Sequence, residues 1–432
     1  MPRRAAYAVL AALVAVVLLV STAIYLAVAD EDDDGGYEPP GRAVPAYPAG
    51  WVGTWSAPAV GAEPGLPRDP GGVSVRNVVH TSVGGSRARI EVSNLYGTAP
   101  LPVTHATVAL AAVPSGPAAV PGTMRRLTFG GRPAVTVPPG GWALSDPVGL
   151  GVPAAADLLV TTYSPAAAGP VTFHPHAREL SYLARGDRAG DTAGTAYTEG
   201  TTHWRYLTAV DVWTREAPGA VVVIGDSITD GVTSTPRTNR RWTDYLARRL
   251  RTAPGAPRLG VLNQGISGNR VLADGGPGPR SANPSGLSRF DRDVLSRTGV
   301  RAVVVALGVN DILRTPHQTD PSRIVAGLAQ LTARAHARGL RVVGATLTPF
   351  HGHRGFTPRL NAVREQVNEL IRAGGVFDAV VDFDQALRDP ALPLRLYPAY
   401  DSGDHLHPGD RGYAAMARAL DLGLLGAAAA VR

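Results

Sequence analysis

From Ala220 onward the sequence alternates two textures, and that alternation restricts the chain to few folds. Short runs of apolar β-formers, "AVVVIG" (220–225), "GVLNQG" (260–265), "RAVVVALG" (301–308), "RVVGATLTPF" (341–350) and "FDAVVDFD" (377–384), are separated by segments of helical period. Trp242, Tyr245, Leu246 and Leu250 fall on one helical face, as do Ile324, Leu328 and Leu331, and again Leu360, Val363, Val367 and Leu370. Strand runs that are apolar throughout, rather than every second residue, suit strands buried on both faces. The pattern therefore predicts an α/β domain in which helices cover both sides of a five-stranded parallel sheet. In such sheets ligands bind beyond the carboxyl ends of the strands, so the residues at the end of each run are the candidates for chemistry.

The preceding part has a different period. Between Trp51 and Trp213, runs such as "SVRNVVHTSV", "ARIEVSNLYG", "DLLVTTYS" and "YLTAVDVWT" are rich in Val and Thr and are separated by Gly, Pro and Asn turns. This reads as a β-sandwich-like domain. Residues 30–50, acidic and then rich in Pro and Gly, read as a spacer. Before them, Ala5 to Ala29 carry no charge and come after Arg3 and Arg4. Such a segment is long enough to span a bilayer, and the arginines would hold its start in the cytoplasm. Ala27-Val28-Ala29 also matches a signal-peptidase site, so a cleaved signal peptide is the other reading; the length favours an anchor. Either way, the chain from Asp30 onward is expected outside the cytoplasm. The expected organisation is a signal anchor or signal peptide at 1–29, a linker at 30–50, a β-rich accessory domain at 51–216 and a catalytic domain at 217–432.

Composition narrows the chemistry. The formal charge is +7, but every basic residue among the 42 is arginine, and they are dispersed through both halves. No nucleic-acid stripe is therefore expected. Cysteine is absent, which excludes thiol catalysis, disulfides and thiolate metal sites. Histidines two apart at His174/His176, His351/His353 and His405/His407 could share a strand face, but no further ligands stand at zinc spacing, and no metal is expected.

The first run ends in "VVVIGDSITDG" (221–231), which would leave Ser227 exposed at a strand end. In isolation such a serine is a helix cap. A nucleophilic serine needs a base and a group that orients the base. "DSGDHLHPGDRG" (401–412) offers both, since Asp404 and His407 are three apart in a loop before a helix expected from about Asp410. Acyl transfer also needs donors for a developing oxyanion. The amides of Ser227 and Gly265 and the carboxamide of Asn310, all at strand ends, could supply them; singly, Gly265 is a turn glycine and Asn310 a helix cap.

Taken together, Gly225-Asp226-Ser227, Gly265, Gly308-Val309-Asn310-Asp311 and Asp404-His405-Leu406-His407 resemble the SGNH (GDSL) hydrolase superfamily in order and spacing, over about residues 218–425. The resemblance implies a three-layer α/β/α, flavodoxin-like domain. It further implies Ser227 as nucleophile, His407 as general base, Asp404 as the orienting acid, and Ser227, Gly265 and Asn310 as the oxyanion hole, with no cofactor. The β-rich part, with "WVGTWSAP" and "VVHTSVGGSRARIEVSNLYGTAPL", looks like the N-terminal region of two-domain secreted bacterial members described as lipase-like or carbohydrate-esterase-like. Asp226 and Asp311 are expected to support loops, and His351 and His353 to line the pocket. The loop at 272–290, too rich in Gly and Pro for regular structure, and "HGHRGFTPR" (351–359) are expected to set specificity. The expected activity is extracytoplasmic ester hydrolysis of a lipid or an acylated polysaccharide by a monomer. An O-acyltransferase acting on envelope sugar, or a non-enzymatic carbohydrate-binding protein, are the rival readings.

Overall fold

In the computed structural model, the residues described are 47–63, 72–166, 169–275 and 283–426. The expected membrane segment and most of the spacer lie outside them. Among the described residues no helix is long and apolar enough to cross a membrane.

The five apolar runs form one parallel sheet. Its strands are β1 (Gly219–Gly225), β2 (Leu259–Gly265), β3 (Val300–Ala306), β4 (Arg341–Ala345) and β5 (Ala379–Val381), in the order β2-β1-β3-β4-β5. That order is flavodoxin-like, with the switch point between β1 and β3. Alternate β1 side chains serve opposite layers. Ala220, Val222 and Ile224 join a core with Ile324, Leu328, Val363 and Val367, residues of helices α2 (Pro321–His336) and α3 (Pro358–Arg372). Val221 and Val223 pack with Trp242, Leu246, Tyr413 and Met416, from α1 (Trp242–Thr252) and α4 (Asp410–Ala419). Every β1 residue is buried, which is why the run carries no polar alternation.

Residues 50–214 form antiparallel sheets. One is built around Gly50–Ser56, Leu207–Thr214 and Gly85–Ser93, and another around Val73–His80, Asp157–Ser164 and His105–Leu110. Ile90, Val92, Val210 and Val212 of the first face Val79, Val108, Leu158 and Val160 of the second in a shared core. A three-stranded sheet joins Trp204–Arg205, Thr172–His174 and Gly61–Ala62.

The β-rich part covers the exposed edge of β2, the edge strand of the parallel sheet, which would otherwise offer unpaired backbone groups. Val261 N donates to Ser82 Oγ at 2.9 Å, and Gly53 N donates to the carbonyl of Thr298 at 3.0 Å. The approach is so close that a Cβ on Gly260 would lie 2.3 Å from the Gly53 carbonyl oxygen. Tyr47 N already bonds Arg215 O at 3.0 Å and the first strand starts at Gly50, so the end of the expected spacer belongs to the fold.

The reading of 272–290 as irregular throughout needs correction. Gly286–Phe290 is helical, because Ser285 accepts from Ser288 N and Arg289 and Phe290 are buried beneath it; a cap and two anchoring side chains outweigh one glycine at the start.

Candidate active site

The register brings three strand ends to one level. Gly225 pairs with Gly265 of β2 and with Ala306 of β3. Past Gly225 the chain makes a single helical turn, Ser227–Asp230, closed by Gly231 in the left-handed region at φ 91°. Asp226 caps the turn by accepting from Ile228 N at 3.0 Å. Ser227 is the first residue of the turn, where a helix N–H has no partner within the helix. Gly225 is required by crowding: a Cβ there would lie 2.1 Å from Thr229 Oγ1. The Gly225 carbonyl accepts from Ile266 N at 3.1 Å and from Arg289 Nη2 at 3.0 Å. Arg289 is buried and also reaches Asn269 Oδ1 and Asp293, so it ties β1, the turn after β2 and the helix at 286–290 into one frame.

The loop before α4 supplies the rest. His407 Nε2 lies 2.7 Å from Ser227 Oγ, and His407 Nδ1 lies 2.6 Å from Asp404 Oδ2. Asp404 Oδ1 accepts from Leu406 N at 3.0 Å and His407 N at 2.8 Å. Burial opposes ionisation of Asp404, but those backbone bonds, together with the bond to the imidazole, hold the carboxyl below its ordinary value. An ionised Asp404 can only accept, so His407 Nδ1 carries a hydrogen, Nε2 is left as an acceptor and the Ser227 hydroxyl donates to it. Thr233 Oγ1, just past the Ser227–Asp230 turn, bonds the carbonyl of Pro408 at 2.8 Å and fixes the two loops together.

Asn310 is the second residue of the short helix Val309–Leu313 that comes after β3. Its side chain is buried, and Nδ2 has no hydrogen-bond partner among the described residues. An orphaned buried donor is costly unless a ligand uses it. Gly265 departs from expectation. Its amide donates to Asn263 Oδ1 at 2.8 Å, so it is not free for a substrate oxygen. The glycine is needed instead because a Cβ would lie 2.2 Å from Asp230 N. In the turn beyond it, Ile266 N bonds Gly225 O, Ser267 N bonds Asp230 Oδ2 and Asn269 N bonds Ile266 O. Of the amides from Gly265 to Asn269, that of Gly268 alone donates to no acceptor among the described residues.

Asp226 and Asp311 do support loops. Asp311 accepts from Val271 N at 2.7 Å and Leu272 N at 3.0 Å, and burial raises its carboxyl. Burial likewise pushes the Asp226 carboxyl up to about 6. The His351–Gly355 segment lies against the loop that carries His407, since a Cβ on Gly352 would meet the His405 ring at 2.9 Å. His353 accepts from Gly355 N at its Nδ1, and burial lowers its pKa despite Asp404 nearby. His405 pairs with Asp401 at 2.6 Å, and among the described residues no three potential ligands converge on a metal position.

Residues 223–415 match the family model of the GDSL-like lipase/acylhydrolase family. That segment of the chain is similar to the GDSL-like family. No curated protein matches this chain. Solved structures similar to this GDSL-like chain include a catalytic mutant of an acetylxylan esterase from Geobacillus stearothermophilus, 22% identical, covering 49% of this chain and 95% of that one with a TM-score of 0.35. A carbohydrate acetylesterase from Sinorhizobium meliloti is 17% identical, covering 46% and 95%, TM-score 0.35. A member of the lipolytic G-D-S-L family from Veillonella parvula is 19% identical, covering 46% and 94%, TM-score 0.33. Of the residues that shape the GDSL-like site, Arg289, Gly268 and Asp230 carry no signal in the sequence read alone, because what marks them is a partner across the fold.

Proposed function

We propose that this protein is an extracytoplasmic serine ester hydrolase acting on acyl esters of a lipid or an acylated carbohydrate. The observation that carries the reading is the continuous hydrogen-bonded line from Ser227 Oγ through His407 to Asp404, at 2.7 and 2.6 Å. In the first half-reaction Ser227 Oγ attacks the ester carbonyl carbon as its proton passes to His407 Nε2. Asp404, ionised, stabilises the imidazolium. The tetrahedral oxyanion is met by the Asn310 Nδ2–H, the Ser227 amide and the Gly268 amide. Collapse breaks the bond to the alcohol oxygen, which leaves with the proton from His407. Water then attacks the acyl-serine, giving its proton to His407 and releasing the carboxylic acid as Ser227 recovers its hydroxyl. No cofactor takes part in these steps.

The extracytoplasmic setting rests on the uncharged segment from Ala5 to Ala29 behind Arg3 and Arg4. The substrate class is tested with a panel of p-nitrophenyl esters of increasing chain length and with acetylated xylan, using the full chain and Ser227→Ala. Hydrolysis by the parent and not by Ser227→Ala is expected. Preference for acetyl esters assigns a carbohydrate esterase and preference for long chains a lipase, whereas equal turnover by Ser227→Ala would remove the proposal.

A further inference from the structure

The nucleophile turn is gripped from its far end by the β-rich part. Asp230, last residue of the Ser227–Asp230 turn, lies with its Oδ1 3.0 Å from His174 Nε2. His174 ends the strand Thr172–His174, and the two side chains are only 3% and 2% exposed. The other end of each group is also committed. His174 Nδ1 is 2.9 Å from the carbonyl oxygen of Pro58, and Asp230 Oδ2 accepts from Ser267 N at 3.0 Å and Ser267 Oγ at 2.6 Å.

This arrangement fixes the proton count. A carbonyl oxygen only accepts, so His174 Nδ1 must carry a hydrogen. Between Nε2 and Oδ1 there is then room for one proton and need for it, since a lone pair facing a lone pair in a buried contact repels and leaves a naked charge. The pair is neutral overall, whether written as imidazolium and carboxylate or as imidazole and carboxylic acid. A second tie runs parallel: Arg241 Nε donates to the Asp230 carbonyl at 3.2 Å while its Nη2 bonds the carbonyl of Ala177 in the β-rich part.

We propose that His174 is a positioning residue for Ser227: through the proton it shares with Asp230, the β-rich part holds the nucleophile turn in register with His407, and is thereby a working component of the active site. The inference rests on the reading of Ser227 as the nucleophile. It also accounts for a histidine whose "HPH" setting suggests a metal ligand in the sequence but whose ring nitrogens are both occupied.

The test separates the two ring nitrogens, using the full chain and p-nitrophenyl acetate. His174→Gln places an amide N–H where Nε2 donates to Asp230, and His174→Asn places one where Nδ1 donates to Pro58. With folding monitored by circular dichroism, His174→Asn is expected to lose about tenfold or more in kcat with KM within about twofold, since a small displacement of the nucleophile is felt in the chemical step. His174→Gln is expected to retain kcat within about threefold of the parent. Equal kcat in parent and both variants, or a loss in His174→Gln as deep as in His174→Asn, would overturn the proposal. If either variant fails to fold, the parent labelled with nitrogen-15 histidine is read instead. The imidazole signals of His174 are expected to move when Ser227 is phosphonylated, and unmoved signals would overturn the proposal. Inactivity of Ser227→Ala beside unaltered His174 variants would sink the positioning role alone, whereas an active Ser227→Ala would sink the hydrolase reading itself.

Discussion

Asn310→Leu is expected to slow the enzyme and stabilise the fold. The Asn310 carboxamide nitrogen is buried without a partner among the described residues, and a donor in that state costs the resting protein about 1–3 kcal/mol. Leucine has nearly the same shape and removes the orphaned donor. Set against a ΔΔG of that size, Tm should rise by about 1–4 °C. The same nitrogen is the donor assigned to the developing oxyanion, and loss of one such donor costs about 10²–10³ in kcat, or roughly 3–4 kcal/mol of transition-state stabilisation. KM should change little, because the bond strengthens only as charge develops. Steady-state kinetics on p-nitrophenyl acetate and a thermal melt on the same preparation read both effects. A variant with kcat within about threefold of the parent would show that Nδ2 does not serve the transition state. A lowered Tm alongside the lost activity would show that the carboxamide is structural, and the reasoning from the orphaned donor would fail.

The geometry leads to three further outcomes. Asp404→Asn should lower kcat by about 10⁴: the two backbone donors at Oδ1 keep the amide oxygen in place, so Nδ2–H faces His407 Nδ1 and forces the tautomer that cannot accept from Ser227. Its measurement is kcat at neutral pH with the fold checked by circular dichroism. For Asp226 the folded carboxyl is raised from 3.8 to about 6, so its protonated form is favoured by folding. That contribution is whole below pH ~4 and is lost as pH rises through ~6, leaving a penalty of about 3 kcal/mol at pH 8. Asp226→Asn, which keeps an oxygen for Ile228 N, should therefore melt higher than the parent at pH 8 and equally at pH 4. Arg289→Leu removes the buried contact to Asp293 and one of the two donors to the Gly225 carbonyl, while Arg292 still pairs with Asp293; a loss of about 1–3 kcal/mol in denaturant unfolding is expected.

The parallel sheet was legible because burial on both faces leaves unbroken apolar runs, and helices α1 to α3 because one apolar stripe recurs at helical spacing. The meeting of Ser227, Asp404 and His407 in space was legible because each stands after a strand or before a helix in a short motif. The misjudged residue, Gly265, shows where that method ends. An amide at a strand end is open or occupied according to what a neighbouring side chain does, and here Asn263 turns back and takes it. Gly268 differs by three positions and by nothing a sequence displays. Arg289 was missed, and His174 was read only as one of a histidine pair, for a related reason: their partners Gly225 and Asp230 are 64 and 56 residues away, and only the fold brings them together. The helix Gly286–Phe290 was hidden because its cap, Ser285, stands in a Gly- and Pro-rich run that reads as a loop.

Covalent trapping bears most directly on the nucleophile. A fluorophosphonate should add one adduct per chain, found by peptide mass spectrometry on the fragment containing Ser227, and His407→Ala should label far more slowly. An adduct on another residue, or a Ser227→Ala protein that still labels and still hydrolyses p-nitrophenyl acetate, would contradict the account.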